Sequence, residues 1–507
     1  MERLGRPAAS GPRQRPWLTL TAVCLGGAAV GLDGTAVTIA APHIARSVGA
    51  SLGDLQWIAN SYLIALAIGL LPSGRLADRI GRRRTFAVGV IGFGLTSLAI
   101  ALSTGVTALI LFRALQGFAG ALLQPASLAL IRAVFPVDRL GVALGLWGGA
   151  NALAIGLGPV VAGVIVQGFD WPAVFLLNVP IAVITTALIY LAVGESKGPS
   201  MGLAAPLWRL LRARAVSVAA SVLVLSSFGV FGLLFMLTLY LQNVHGFQPI
   251  TAGLWLLPPI GIVVISAPIG GVLTERFGSR WPVAGGLLLM AAGLFGLAQL
   301  TADSNFWDMV RPAVLVGFGT GLCAVSATQS IMGAAPDSMT GMASAIQQTA
   351  SQIGGMLGIG LMGWMMSARV LDALPQRINE AHLPAQLGFE MRRGVDDVAQ
   401  GMVPETSAPG GGPVAGAVRT VTDLVFTDGM GAAFLLAAGV ILLGVLLAML
   451  LRTSRPAAHQ AAGPPDAPAD VHGERGHQQG ANDQGVEQHA EGDQERDLDH
   501  EQDRQHG

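Results

Sequence analysis

The chain of 507 residues is 52% hydrophobic and only 12% charged, with 68 glycines, and its mean hydropathy is +0.58. Soluble domains carry about 25% charged residues, so these figures exclude a soluble globule and point to packed membrane helices, in which small residues let backbones approach closely. The net charge of -1 conceals two unlike parts: residues 456–507 hold 12 acids and 3 arginines, and the preceding 455 hold 27 basic residues against 19 acids.

A bilayer core requires about 20 predominantly apolar residues per helix. In chain order such runs fall at 17–39, 55–74, 85–103, 107–131, 141–167, 173–193, 215–241, 250–273, 282–301, 308–332, 342–366 and 430–451. They predict an all-α integral membrane fold of twelve transmembrane helices. The first run follows a basic stretch (Arg3, Arg6, Arg13, Arg15), yet it lacks an A-x-A-like cleavage site and contains Asp33. It therefore reads as a retained helix rather than a secretory signal.

Orientation follows from Lys and Arg, which accumulate in short cytoplasmic loops. Arg75, Arg79, Arg82, Arg83 and Arg84 follow the second run, Arg132 and Arg139 the fourth, Arg276 and Arg280 the eighth, and Arg452 and Arg455 the twelfth. The opposite loops are nearly free of them, apart from Arg46 and Arg311. Both termini are expected in the cytoplasm. The organisation reads as a basic N-terminus (1–16), a six-helix bundle (17–193) and a basic linker (194–214) whose residues 199–214 suit an amphipathic interfacial helix. A second six-helix bundle (215–451) follows, with a long external loop at 367–429 that includes a Gly-Pro-rich stretch at 409–413. The tail, 452–507, has almost no large apolar residues and reads as disordered.

Six of the nine histidines lie in that tail at spacings that match no zinc pattern. Cys24 and Cys323 fall singly in apolar runs, so no metal site or disulfide framework is expected. There is no Walker loop and no nucleophile–base constellation. The chain is expected to be no enzyme, to need no cofactor, and to bind no nucleic acid.

The loop after the second run reads Gly74-Arg75-Leu76-Ala77-Asp78-Arg79-Ile80-Gly81-Arg82. About 197 residues later comes Gly271-Val272-Leu273-Thr274-Glu275-Arg276-Phe277-Gly278. Glycine, leucine, acid, arginine and glycine recur at equal spacing, as in a transporter built from two similar six-helix bundles. The glycines at Gly81 and Gly278 suit tight turns. The acids and arginines form a charge cluster at the cytoplasmic rim that either locks the halves together in one state or anchors the loops by the positive-inside rule.

At these residues the chain resembles the major facilitator superfamily. Three further segments are similar to the drug:proton antiporters of its fourteen-span branch: Leu32-Asp33-Gly34-Thr35 followed by Ala41-Pro42; Leu109, Arg113, Gln116 and Gly117; and the stretch LYLQNVHGFQPITAGLWLLP from Leu239 to Pro258. That branch has two extra helices between its halves. Here only about twenty residues join them, so twelve spans are expected. The resemblance implies proton coupling at Asp33 and Arg113, and a conformational switch at Gly74, Asp78, Arg79, Gly81, Arg82, Glu275, Arg276 and Gly278.

The residues support part of this independently. Asp33 is the one carboxylate well inside an apolar run, and buried carboxylates are paired, protonated or functional. Arg113 is the one cation deep in a run, and at 1.5 Å per residue both lie about 9 Å inside the outer end. Matching depth permits them to pair. In the fifth run, Gly145, Ala154, Gly158, Ala162 and Gly163 form a flat face beside Pro159, which permits a bend. Taken alone, that face fits plain helix packing. Its spacing resembles the antiporter motif of export-type facilitators, which implies a hinge at Gly145, Gly158, Pro159 and Gly163. Gln347, Gln348, Thr349 and Gln352 give the eleventh run an unusual polar density. These residues, with Gln116, Gln124 and Asn151, either contact substrate or hydrogen-bond between helices.

The expected function is proton-coupled export of drugs, antibiotics or hydrophobic metabolites by a monomer in the cell inner membrane. Its partners are a small-molecule substrate, protons and the bilayer. Uptake or facilitated diffusion of a metabolite is the alternative within transport, and the fifth-run motif argues against it. A non-transporting membrane sensor is the alternative of another class, and such a protein has no need of the buried charges.

Overall fold

The computed structural model describes residues 15–192, 209–335, 339–404, 413–449 and 451. The first half comprises α1 (Pro16–Val48), α2 (Leu52–Ile80), α3 (Arg82–Ala101), α4 (Val106–Val134), α5 (Val137–Phe169), α6 (Pro172–Leu176) and α7 (Asn178–Ala192). The second comprises α8 (Arg214–Leu239), which ends in a π-helical turn (Tyr240–Val244), then α9 (Pro249–Trp255), α10 (Leu257–Phe277), α11 (Arg280–Leu297), α12 (Phe306–Ala334), α13 (Thr340–Glu380), α14 (Ala385–Arg393), α15 (Val395–Ala399) and α16 (Pro413–Ala448). The fold is all-helical. Among the described residues, eleven helices or near-continuous helix pairs are long and apolar enough to cross a membrane. The remaining run, 55–74, lies inside α2, a further helix of 29 residues.

Local signals set several ends. α2 starts with a capping box in which Ser51 and Asp54 satisfy each other's backbone N–H groups, and α12 starts with the same device from Asn305 and Asp308. Such pairs supply acceptors to N–H groups that have no partner within the helix. At the cytoplasmic rim a single residue, Gly81 (φ 120), ends α2 and opens α3, and Gly278 (φ 75) turns the chain from α10 into α11. Side chains rarely adopt these conformations, which explains why glycine recurs at both places.

The helix pairing repeats. In the first half α2 and α3 pack on α4, and α1 packs on α5 and α7, with α3 also on α7. In the second, α10 and α11 pack on α12, and α8 packs on α13 and α16, with α11 also on α16. Each pairing maps onto its counterpart six spans later. The halves then meet through α2 against α13 and α5 against α9. Among the described residues, three side-chain hydrogen bonds join them on the external side: Gln242 Nε2 donates to the Ile39 carbonyl (2.9 Å), Gln400 Nε2 to the Ala50 carbonyl (3.2 Å), and Gln167 Nε2 to Gln248 Oε1 (2.6 Å).

Two expectations need correction. The segment 367–429 is not one long loop. α13 continues to Glu380, α14 and α15 follow, and α16 begins at Pro413. Hydropathy registers only the part of a helix that crosses hydrocarbon, and these helices run on with polar residues. For the same reason α1 extends nine residues past the expected end at 39, through Pro42, to Val48. Of the expected interfacial helix at 199–214, only residues from 209 onward lie within the described part, as does only the last residue of the 409–413 stretch; residues 452–507 lie outside it.

Candidate functional site

Five helices bring one polar cluster into the apolar interior of the first half. Asp33 on α1 and Arg113 on α4 are each 1% exposed, and Arg113 Nη1 lies 2.5 Å from Asp33 Oδ2. Arg113 and Gln116 are three residues apart on α4 and so share a face. The same Nη1 donates to Gln116 Oε1 at 2.6 Å, and Gln116 Nε2 donates to Asp33 Oδ1 at 3.0 Å. From α7, Asn178 Nδ2 donates to Asp33 Oδ1 at 3.1 Å. Ser97 of α3 accepts from both amides, at 2.7 Å from Gln116 and 3.2 Å from Asn178. Arg113 Nε donates to the Ile58 carbonyl of α2 at 3.3 Å, and its guanidinium sits 4.2 Å from the centre of the Tyr62 ring.

The arrangement is what burial of two charges requires. Desolvation costs several kcal/mol per ion, and it is offset only where the remaining lone pairs and N–H groups also find partners. Here Asp33 Oδ1 takes two amide donors while Oδ2 takes the guanidinium. One carboxylate is thus held by a cation and two neutral donors, a setting in which gaining or losing one proton changes the local charge balance outright.

Of the residues singled out in the sequence, Asp33, Arg113 and Gln116 come together. Gln116, expected among the substrate contacts, is fully buried and both ends of its amide are engaged inside this network. Ser97, Asn178 and Tyr62 belong to the site and were not anticipated. The sequence signal for them was faint: single polar or aromatic residues at the edge of, or within, apolar runs, with nothing to say which way they face. Gln124, Asn151, Gln348 and Gln352 are half-buried on α4, α5 and α13. Asn151 Nδ2 donates to the Trp147 carbonyl at 2.8 Å, and its amide lies against Gly27 of α1.

The fifth-run motif packs in two directions. A Cβ on Gly158 would strike Thr35 Oγ1 of α1, so this glycine lets the two helices meet. Pro159 cannot donate a hydrogen bond to the carbonyl four residues earlier, which is that of Ile155. Thr35 Oγ1 donates to that carbonyl at 3.1 Å. The residue two positions after Asp33 therefore satisfies the backbone group that the proline releases. On the external side, a Cβ on Gly163 would lie 2.6 Å from the Pro249 carbonyl oxygen, and one on Gly253 would lie 2.6 Å from that of Pro159. These two glycines make a reciprocal close contact between the halves. Gly145 has open space around it.

At the cytoplasmic rim, Arg82 Nη1 donates to the Ala129 carbonyl of α4 at 3.3 Å. Arg79, Glu275 and Arg276 are exposed at the ends of α2 and α10. Gly74 lies on α2 facing Pro125 of α4. The side chain of Asp78 lies outside the described part.

Comparisons with known proteins agree with this architecture. A family model described as Major Facilitator Superfamily matches residues 23–359. The chain is 38% identical to the tetracenomycin C resistance and export protein of Streptomyces glaucescens, over 88% of this chain and 94% of that protein. It is 30% identical to the methyl viologen resistance protein SmvA of Salmonella typhimurium, over 70% of this chain and 83% of that one. Among solved structures, a bacterial homolog of the human lysosomal transporter Spinster, inward-facing and unoccupied, superposes with a TM-score of 0.68 at 20% identity. That alignment covers 88% of this chain and all of the other.

Proposed function

This chain belongs to the Major Facilitator Superfamily, and on that basis we propose that it is a drug:proton antiporter that exports antibiotics or other largely apolar small molecules. It is a multi-pass membrane transporter and not an enzyme. The observation that carries the finer reading is the buried Asp33–Arg113 pair with its two amide donors. A purely structural ion pair is weak support for a fold, because apolar side chains of similar volume stabilise as well or better. A carboxylate that must take up and release a proton in each cycle has a use for such a setting. The relatives named for resistance and export favour the outward direction over uptake.

In this reading Asp33 takes a proton when the external side opens and substrate leaves. It releases the proton when the cytoplasmic side is open and substrate enters. Arg113 holds the ionised form in place in the externally closed arrangement. Thr35, bonded to the carbonyl released by Pro159, ties the helix carrying the carboxylate to the helix that meets the second half. Charge at Asp33 is thereby linked to the closure formed by Gly163 and Gly253. Because the pair neutralises itself in the interior, it gives little support to strongly cationic substrates over neutral or zwitterionic ones, and the polar groups available to substrate include the uncharged amides of Gln124, Asn151, Gln348 and Gln352.

Ethidium accumulation in energised cells, with and without a protonophore, tests the reading. Cells expressing the wild type are expected to accumulate little dye, and both the protonophore and Asp33→Asn are expected to abolish that protection. Where ethidium is not carried, the same arms are run with an antibiotic chosen by growth inhibition. Full protonophore-sensitive export by Asp33→Asn overturns the assignment.

A further inference from the structure

The two amides that hold Asp33 are not equivalent. Gln116 is locked at both ends: Nε2 donates to Asp33 and Ser97, and Oε1 accepts from Arg113. Asn178 is locked at one end only. Its Nδ2 donates to Asp33 Oδ1 and Ser97 Oγ, whereas its Oδ1 is buried without a hydrogen-bond partner among the described residues. An unsatisfied buried acceptor costs about 1–3 kcal/mol, so its presence beside a charged group calls for a reason.

The chemistry of Asp33 supplies one. An ionised carboxylate only accepts hydrogen bonds, and a protonated one must also donate its O–H. Oδ2 faces the Arg113 guanidinium, which can only donate, so an added proton belongs on Oδ1. There the neighbours are the NH2 groups of Gln116 and Asn178, neither of which accepts. One of them must give way. Gln116 cannot turn without facing its NH2 toward Arg113. Asn178 can: a half-turn of its amide places Oδ1 where Nδ2 stood, ready to accept from Asp33.

The surroundings permit the turn. Beside Asn178 lies a cavity of about 10 Å³ lined by Gly26, Ala29, Phe93 and Thr185 among others, room for about one water. Thr185 Oγ1 is likewise buried without a partner among the described residues. A water in that cavity would accept from the NH2 group that the half-turn moves. Ser97 Oγ lies 3.2 Å from Nδ2 and, once the half-turn brings Oδ1 to that place, can reverse from acceptor to donor by rotating its hydroxyl.

We infer that Asn178 is a reversible positioning residue, whose amide donates to the ionised Asp33 carboxylate and, after a half-turn, accepts from the protonated one. The step balances simply. A hydronium gives its proton to Oδ1 and leaves as water, one O–H bond forms, and Arg113 keeps its protons. Among the described residues, the charged or titratable groups facing Asp33 are Arg113 from α4 and Tyr62 from α2. The other packed helices bring Ser97, the Ile155 carbonyl, Phe175 and Asn178, none of which titrates. This inference rests on the proposed protonation of Asp33.

Infrared difference spectra of the full chain in lipid, recorded between acid and alkaline pH, test both without needing a substrate. In the wild type the exposed acids give carboxylic C=O bands on acidification, and a separate buried-carboxyl C=O component is expected beside them, together with a change in a side-chain amide band. Asp33→Asn removes both. Asn178→Leu loses the amide change and moves the C=O band to higher frequency, while its titration midpoint stays near that of the wild type because a partner is lost in both protonation states. Asn178→Ser, whose hydroxyl donates and accepts, restores the C=O frequency, and it keeps the test decisive should the leucine variant fail to fold. If Asn178→Leu instead raises the midpoint by about one pH unit with the C=O frequency unchanged, Asn178 is a fixed donor and the inference fails. If Asp33→Asn leaves the buried-carboxyl component in place, it is the proposed proton site that fails.

Discussion

α1 packs on α5 and α7 in the first half as α8 packs on α13 and α16 in the second, yet the two interiors hold different chemistry. The first buries Asp33, Arg113, Gln116 and Asn178 in one connected cluster. Among the described residues of α8–α16, the fully buried polar side chains are uncharged, for example Ser226, Thr238, Ser266 and Ser326. Their bonds join neutral groups: Thr238 returns to the Leu234 carbonyl, Ser226 reaches Met290 Sδ at 3.8 Å, and Ser326 accepts from Thr274 at 2.7 Å. The same scaffold thus serves as a charged core in one half and an inert one in the other. Helix pairing depends on small residues and shape, which duplicate readily, whereas a buried charge requires every neighbour to be chosen for it.

That contrast can be broken from its strongest side first. Arg113→Met leaves Asp33 buried without its cation and is expected to cost about 3–5 kcal/mol, seen as a large fall in the thermal unfolding midpoint of the solubilised protein. Gly158→Val forces a side chain into Thr35 and the Leu32 backbone. Overpacking of this kind costs about 1–3 kcal/mol, and export by the remaining folded protein should be lost because α1 and α5 no longer meet.

Thr35→Val conserves shape but removes the donor to the Ile155 carbonyl, a loss of about 1 kcal/mol. Its effect on export rate should exceed its effect on stability if the link between α1 and the Pro159 segment matters to the cycle. Equal, small effects on both would reduce Thr35 to a local repair of the helix. Ser226→Ala is the control in the inert half. It should change stability by less than about 0.5 kcal/mol and leave export unaltered, since removing a weak contact to sulfur exposes no charge. A large loss there would mean that the second half carries chemistry of its own.

Much of this was legible in the chain. The apolar runs placed the helices because hydrocarbon tolerates no unsatisfied backbone, and the paired loops at Gly81 and Gly278 announced the duplication because only glycine takes those turns easily. Asp33 and Arg113 stood out as the charges that an apolar run cannot carry without cause. Equal depth permitted their pairing without requiring it, and α1 proved to run nine residues further than expected, so the geometry behind that estimate was right for α4 and short for α1.

The amino-acid sequence by itself determined the membrane class, the order of the runs, the twofold plan and the identity of the two buried charges, because composition, periodicity and charge are properties of short stretches. Only the tertiary structure decided that Asn178 and Ser97 complete the carboxylate's shell, that Gln116 turns inward, and that Thr35 answers the carbonyl released by Pro159. Those partners lie 3 to 145 residues apart along the chain, and their meeting depends on how each helix is rotated about its own axis. That rotation is set by side-chain packing between helices, which apolar runs that are hydrophobic on nearly every face do not encode locally.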